Sequence, residues 1–430
     1  MVESLTRRRL MGNIASLLSG SALAQGFSAV ALLLTARQLG PAGYGRYAAS
    51  FALTTFSAII FNLGLNVWLL REGGRRTVPL SESVGSVLAI KVGGAVIWLG
   101  VVFALTPLLP QDTFPATLLR LSALATLLDS LLGTVLTAFK AALLNQVTSV
   151  LESGADAAWL VATLLLIASD IRQVEAYMQA RVVVLLFGLV ISLLVVWRSI
   201  ALTIAFRTVK RALREAFPFV AAEFLAWISL RMDVLILAWT LGESAVGLYS
   251  PAVGVVNALF LVPAAVYGVM VPVLSHLYAA NPRQAEVLAR RMVLTLLAVG
   301  LGLALAFAAG APLLISFLRG SFSESLGVMR ILSVILLFKS GSFALSAVLV
   351  AIGRQSQRTV IQAVTAALNV GLNIWIVYRA GIYGVAGVYV LTELLTLAGY
   401  AWLVQRYHSR PLAYGTVSPG PQVTSTVPPD

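Results

Sequence analysis

The sequence predicts an all-α membrane protein: about twelve transmembrane helices in two six-helix lobes, a parallel pseudo-repeat, around a central cavity. Three observations carry that expectation. Hydrophobic residues make up 59% of the 430 positions and charged residues 11%, with a mean hydropathy of +0.92, whereas soluble domains are about 25% charged. Basic residues are distributed unevenly between alternate loops, and a short pattern recurs in the two halves of the chain.

Apolar runs between charged or Gly/Pro-rich breaks place spans at residues 14–36, 47–70, 85–109, 117–139, 146–168, 177–197, 217–241, 246–274, 292–317, 326–350, 359–379 and 384–404. Each is close to the ~20 residues a helix needs to cross a hydrocarbon core. With twelve spans, nineteen Lys and Arg fall on one side, among them Arg7–Arg9, Arg71, Lys140, Arg207, Arg354 and Arg406. Five fall on the other: Arg37, Arg46, Arg172, Arg319 and Arg379. Losing one helix would swap the side of every later loop, so this bias supports the count and places both termini in the cytoplasm.

The net charge of +13 therefore reads as a topology signal rather than a nucleic-acid surface, because the cations cluster between apolar spans. The chain has no cysteine and only two histidines, His276 and His408, which excludes a disulfide framework, a thiolate metal site or a His-rich centre. Arg7–Arg9 precede Ser21-Ala22-Leu23-Ala24-Gln25, a pattern that imitates a cleavable leader. The apolar run continues to Ala36, long enough to remain as a spanning anchor.

The expected division is residues 1–198 for the first lobe, 199–216 for a linker helix, 217–408 for the second lobe and 409–430 for a disordered tail rich in Pro, Gly, Ser and Thr. In the linker, Leu202, Phe206, Val209, Leu213 and Phe217 share one face and Arg207, Lys210, Arg211 and Arg214 another. That is the pattern of a helix lying on the inner membrane surface, joining the halves and open to contact with membrane lipids. Leu39-Gly40, Gly45 and Tyr47 recur as Leu241-Gly242, Gly247 and Tyr249 at a constant offset. Both copies fall on the outer side, so the halves are expected to be related by an axis along the membrane normal and to enclose a substrate path.

Ionisable groups deep in a span are costly and need a partner or a function. The deepest are Asp129, Asp156, Arg231, Asp233, Lys339 and Glu393. Arg231 and Asp233 are two apart, so they point to different sides of a helix and each needs a partner elsewhere. Ion pairs between the halves, joining Arg231 or Lys339 to Asp129 or Asp156, are the structural expectation; contact with substrate or a coupling ion is the functional one. Glu152 and Asp156 share a face, as do Asn62 with Asn66 and Asn369 with Asn373. These asparagines and Asn257 either hydrogen-bond between helices or line a cavity. Arg120, Arg181 and Arg330 lie near the outer end and are expected to snorkel. No P-loop, H-E-x-x-H or Ser/His/Asp arrangement occurs, so ATP cannot drive the chain directly and no cofactor is implied.

Ala36-Arg37-Gln38-Leu39-Gly40-Pro41-Ala42-Gly43-Tyr44-Gly45-Arg46-Tyr47, with Asn62-Leu63-Gly64-Leu65 and Arg71-Glu72, resembles the polysaccharide-export, lipid-linked oligosaccharide flippases of the multidrug/oligosaccharidyl-lipid/polysaccharide (MOP) exporter superfamily. Arg231-Met-Asp233, Gly247-Leu-Tyr249, Pro272-Val-Leu-Ser275 and Ile352-Gly353-Arg354 extend the resemblance over residues 10–405. It implies two lobes alternating between inward-open and outward-open states in a bacterial cytoplasmic membrane. The implied cargo is a lipid-linked glycan of the undecaprenyl-diphosphate type, with glycosyltransferases or a glycan polymerase as pathway partners. Related branches export drugs by cation antiport or move peptidoglycan precursor. On this reading Arg231, Lys339 and Arg37 are cavity cations that meet substrate, and Asp129, Asp156, Asp233 and Glu393 bind a coupling ion or balance charge. Asn62, Asn66, Asn257 and Asn369 then line the cavity. A membrane-embedded glycan polymerase or ligase is the competing class; it would call for a large outer loop, and the longest here is about ten residues. A scaffold without transport leaves the buried charges unexplained.

Overall fold

In this computed structural model residues 2–75, 77–199, 202–318 and 320–408 are described, with side chains from Ser19 onward except at positions 199, 218, 222, 229 and 408. The side chains of Arg7–Arg9 and the tail expected at 409–430 lie outside them.

Helix α1 (Val2–Ser57) bends at Gly40, and its two arms are the first and second spans. The second arm continues through α2 (Ile59–Asn62) and α3 (Leu65–Arg75). Helices α4 (Leu80–Leu105), α5 (Ala116–Ala141), α6 (Asn145–Ala168) and α7 (Val174–Ser199) complete the first lobe. The second lobe begins with α8 (Phe206–Thr240), followed by α9 (Glu243–Leu259) and α10 (Leu261–Ala280), which together make one crossing. Helices α11 (Pro282–Leu318) and α12 (Ser325–Ala351) lead to α13 (Gln355–His408), which bends at Gly381 into the last two spans.

Among the described residues nine helices are long and apolar enough to cross a bilayer. Two of them, Ser19–Asn62 and Gln355–Tyr407, are 44 and 53 residues long, about twice the ~20 that one crossing uses. Each therefore supplies two crossings, and α8, whose apolar stretch Phe219–Ile228 falls short of the length of the nine, supplies the twelfth. Large apolar side chains such as Ile97, Phe187, Leu305 and Val360 are exposed around the perimeter, as expected where lipid is the solvent.

The recurring sequence pattern is a recurring turn. Gly40 (φ 70) and Gly242 (φ 81) both take the left-handed region, which a side chain disfavours. Pro41 opens the second arm of α1 with its ring where no helical N–H partner exists. The two helix starts that follow pack on each other, making α1 against α9 one of the largest contacts between lobes. Arg46 reaches across this seam to Glu243 at 3.5 Å, the ion pair joining the two lobes among the described residues outside the linker region.

The linker is not a separate helix. Its extended start, residues 202–205, lies along the first turn of α4, where Thr203 N–H donates to the Ser81 carbonyl at 3.4 Å. From Phe206 the chain is the beginning of α8, continuous with the seventh span. Three faces of this stretch have different surroundings. Thr208, Ala212 and Ala216 are buried against the first lobe, Phe206, Leu213 and Phe217 are exposed, and Arg207, Lys210 and Arg214 lie on the remaining face. Small residues allow close helix packing, while the exposed phenylalanines suit the bilayer interface.

Candidate functional site

Two cavities are lined by charged side chains. The first, of about 220 Å³, lies between the lobes. The first lobe contributes Tyr44, Tyr47, Phe51 and Arg181, and the second contributes Arg231, Ser250 and Asn257. Helix α8 sets Arg231 on this wall and turns Asp233 away from it. The Asp233 carboxylate accepts Tyr249 Oη–H at 2.7 Å and Val234 N–H at 2.8 Å, which satisfies it inside the second lobe. Tyr249 is the repeat partner of Tyr47, so the duplicated turn positions one tyrosine on the cavity and the other on the acid. Arg231 stacks over the Phe51 ring at 5.7 Å and its Nε is buried with no hydrogen-bond partner. No ion pair to Arg231 forms among the described residues. Across the cavity Arg181 pairs with Asp156 at 3.6 Å and stacks over Trp159 at 5.4 Å. The cavity thus presents two guanidiniums, one of which has its carboxylate already.

The second cavity, of about 340 Å³, lies within the second lobe. Lys339 and Glu393 form an ion pair there at 2.8 Å, and the second Glu393 oxygen, Oε1, is buried without a partner. Arg358 enters the same cavity and donates to Tyr267 Oη at 3.2 Å and to Ser346 Oγ at 2.7 Å. Asn369 donates to Thr392 Oγ1 at 3.1 Å and accepts from Asn373 at 3.0 Å. Tyr389 lies within electrostatic reach of both Asp233 and Glu393, so the two clusters are neighbours.

The other sequence candidates occupy different surroundings. Asp129 is exposed on α5, within electrostatic reach of Arg231, Asp156 and Lys91. Asn62 and Asn66 line neither cavity; they belong to a network inside the first lobe. Lys91, 1% exposed, donates to Asn66 Oδ1 at 3.1 Å and to Ser130 Oγ at 3.2 Å, Ser130 donates to Asn62, and Thr134 donates to Asn66 at 2.9 Å. A buried ammonium needs such acceptors. Arg37 stacks over Phe317 at 4.8 Å at the opposite end from the basic loops and lines neither cavity. Ion pairs between Arg231 or Lys339 and the first-lobe acids do not form; Lys339 and Arg181 each pair within their own lobe. Glu152 accepts from Ser21 at 3.3 Å, separate from its neighbour Asp156.

Sequence reasoning passed over Arg181, read as a cation near the outer end of its span, and Arg358, which falls among the nineteen cations of the basic loops. A signal for Arg358 was present: Arg358, Gln362, Thr365 and Asn369 recur at steps of four, three and four, a polar stripe on one helix face, and all four line the second cavity.

At the end of the bundle bearing the basic loops, Glu215 is the centre of a clasp between α8 and α3. It accepts from Trp68 at 3.0 Å, Arg71 at 2.9 Å and Arg211 at 2.9 Å. Arg211 also lies 3.6 Å from the buried Glu72. Donation from Arg211 first, then from Trp68, holds the Glu215 carboxyl below the ordinary glutamate range.

The sequence profile of the polysaccharide biosynthesis protein family matches residues 10–278, more than half of the chain. No curated protein matches the chain. The fold is similar to that of an inward-facing multidrug resistance MATE family transporter of the MOP superfamily, with a TM-score of 0.73 at 14% identity over 90% of this chain and 95% of that one. Lipid II flippase MurJ in an inward closed conformation gives 0.72 at 13% identity over 90% and 87%. The eukaryotic MATE transporter AtDTX14 gives 0.63 at 14% identity over 92% and 96%. The chain belongs to the polysaccharide biosynthesis protein family and is a multi-pass membrane protein with the two-lobed fold of the MOP-superfamily transporters.

Proposed function

We propose that the protein is a flippase that translocates a lipid-linked oligosaccharide precursor across the bacterial cytoplasmic membrane by alternating access, with the lipid diphosphate seated in the interlobe cavity. One observation carries the reading: Arg231 stands on a cavity wall shared by both lobes with no carboxylate partner among the described residues, its nearest acid in sequence being satisfied by Tyr249. Leaving a cation exposed to such a cavity is costly unless a ligand offsets it. A diphosphate would accept the planar guanidinium in a bidentate contact and would lose its water at the same time. Arg181, held by Asp156, supplies a second positive edge, and Tyr44, Tyr47 and Asn257 supply donors. Because the cavity belongs to both lobes, rocking one lobe against the other would expose it to each side in turn.

On this reading the basic loops and both ends of the chain face the cytoplasm, where glycosyltransferases would assemble the cargo. Proteoliposomes carrying a fluorescent undecaprenyl-diphosphate-linked saccharide test the proposal. Vesicles with the protein should expose label to an impermeant quencher beyond the fraction in the outer leaflet of empty vesicles. Identical quenching in both preparations rejects it.

A further inference from the structure

The second-lobe cavity is a site in its own right. Its wall holds three buried polar atoms without partners: Arg358 Nε, Ser342 Oγ and Glu393 Oε1. Ser342 and Glu393 are each 5% exposed, and a buried polar group left unpaired costs ~1–3 kcal/mol, more when charged. Their chemistry selects what would fill the space. Lys339 is neutralised by Glu393, whereas among the described residues Arg358 meets only the hydroxyls of Tyr267 and Ser346, which leaves the cavity lining one positive charge in excess. A cation is disfavoured by that excess. A simple anion would satisfy Arg358 but would give Glu393 Oε1 no donor and would stand against its charge. Both requirements are met by a molecule that bears an acid group and several hydroxyls. The rings of Tyr267, Phe343, Tyr389 and Tyr400 add apolar faces, and 340 Å³ falls at the lower end of the ~300–1,000 Å³ of small-molecule sites.

We propose that this cavity binds a saccharide unit carrying an anionic substituent, with Arg358 on the acid group and Glu393 Oε1 accepting a sugar hydroxyl. As a biological ligand this sugar rests on the flippase reading, being part of the glycan whose diphosphate sits on Arg231; the binding chemistry itself does not. Tyr389 on the cavity wall lies within electrostatic reach of Asp233, two residues from Arg231 on α8.

The test uses the purified full-length chain in nanodiscs and soluble probes: the acidic disaccharide glucuronosyl-glucose, its neutral counterpart cellobiose, and inorganic phosphate. Calorimetry should show saturable binding of the acidic disaccharide and at least about tenfold weaker binding of cellobiose, the loss expected for a hydrogen bond to a charged group. Arg358→Gln should weaken the acidic disaccharide by a similar factor. Ser342→Leu, which fills the cavity without removing a charge, should do the same and covers the case in which Arg358→Gln fails to fold. Arg231→Gln should leave disaccharide binding intact while impairing lipid flipping, so failure of either reading shows separately. No saturable binding, equal binding of cellobiose, full competition by phosphate, or undiminished binding by Ser342→Leu overturns the proposal.

Discussion

Gly45 and Gly247 pack across the lobe seam, each against the backbone at the start of the other's helix. A Cβ on Gly45 would lie 1.7 Å from the Glu243 carbonyl oxygen, and one on Gly247 would lie 1.8 Å from that of Pro41. The two halves of the sequence repeat thus close the end of the bundle opposite the basic loops, and any transport cycle must part them.

Enlarging either glycine should weaken this closed seam. Overpacking costs ~1–3 kcal/mol, a shift of about 5–150-fold in an open–closed equilibrium. The chain has no cysteine, so Arg46→Cys with Glu243→Cys gives a clean pair for a short bis-maleimide. Adding Gly247→Val should reduce cross-linking several-fold; an unchanged yield would mean the seam does not depend on the glycine contact.

Tyr249 and Asp233 should behave as a unit. Tyr249→Phe strands one oxygen of a buried carboxylate and should cost ~1.5–3 kcal/mol, the range for hydrogen bonds to charged groups. In combination with Asp233→Asn the losses should fall short of additivity by ~0.5–3 kcal/mol. Denaturant titration of the single and double variants checks this, and simple additivity would contradict it.

The ion pair in the second lobe is asymmetric. The Lys339 side chain is 28% exposed and that of Glu393 6%, so removing the lysine strands the more buried charge. Lys339→Met should therefore destabilise by up to ~3–5 kcal/mol, and more than Glu393→Gln. Thermal midpoints in one detergent give the order; the reverse order would place the burden of desolvation on the lysine.

The clasp at Glu215 has a pH signature. Its carboxyl is held below the ordinary range by Arg211, Trp68 and Arg71, so its stabilisation is fully present above the unfolded value of ~4.3. That stabilisation is lost only as the pH falls through the lower folded value. The hydrogen-exchange protection of residues 206–217, taken relative to the intrinsic rate at each pH, should be unchanged in mild acid and should fall in Glu215→Ala even at neutral pH. Loosening of the parent in mildly acidic buffer would contradict the assignment.

The spans and the repeat were legible because bilayer thickness and φ > 0 turns impose local patterns: Leu39-Gly40 and Leu241-Gly242 mark the same bend. The site was legible only in part. Depth along a span follows from counting residues, which located Arg231 and Lys339. Rotation about the helix and the neighbours met there depend on packing, so Asn62 and Asn66 could not be distinguished from Asn257. Asn66 accepts from Lys91 and Asn62 from Ser130, which Lys91 also reaches, whereas Asn257 faces the interlobe cavity. Arg358 was obscured because it is the fourth residue of α13, where a cation ordinarily reaches the interface. The polar stripe beneath it was the better guide.

The most direct test of the account is the rate of lipid-linked saccharide flipping in vesicles carrying the parent, Arg231→Lys or Arg231→Ala, at matched abundance of folded protein. Arg231→Lys keeps the charge but loses the planar fork, so the predicted order is parent fastest, Arg231→Lys intermediate and Arg231→Ala slowest. A folded Arg231→Ala variant that flips the lipid at the parental rate would contradict the role assigned to Arg231.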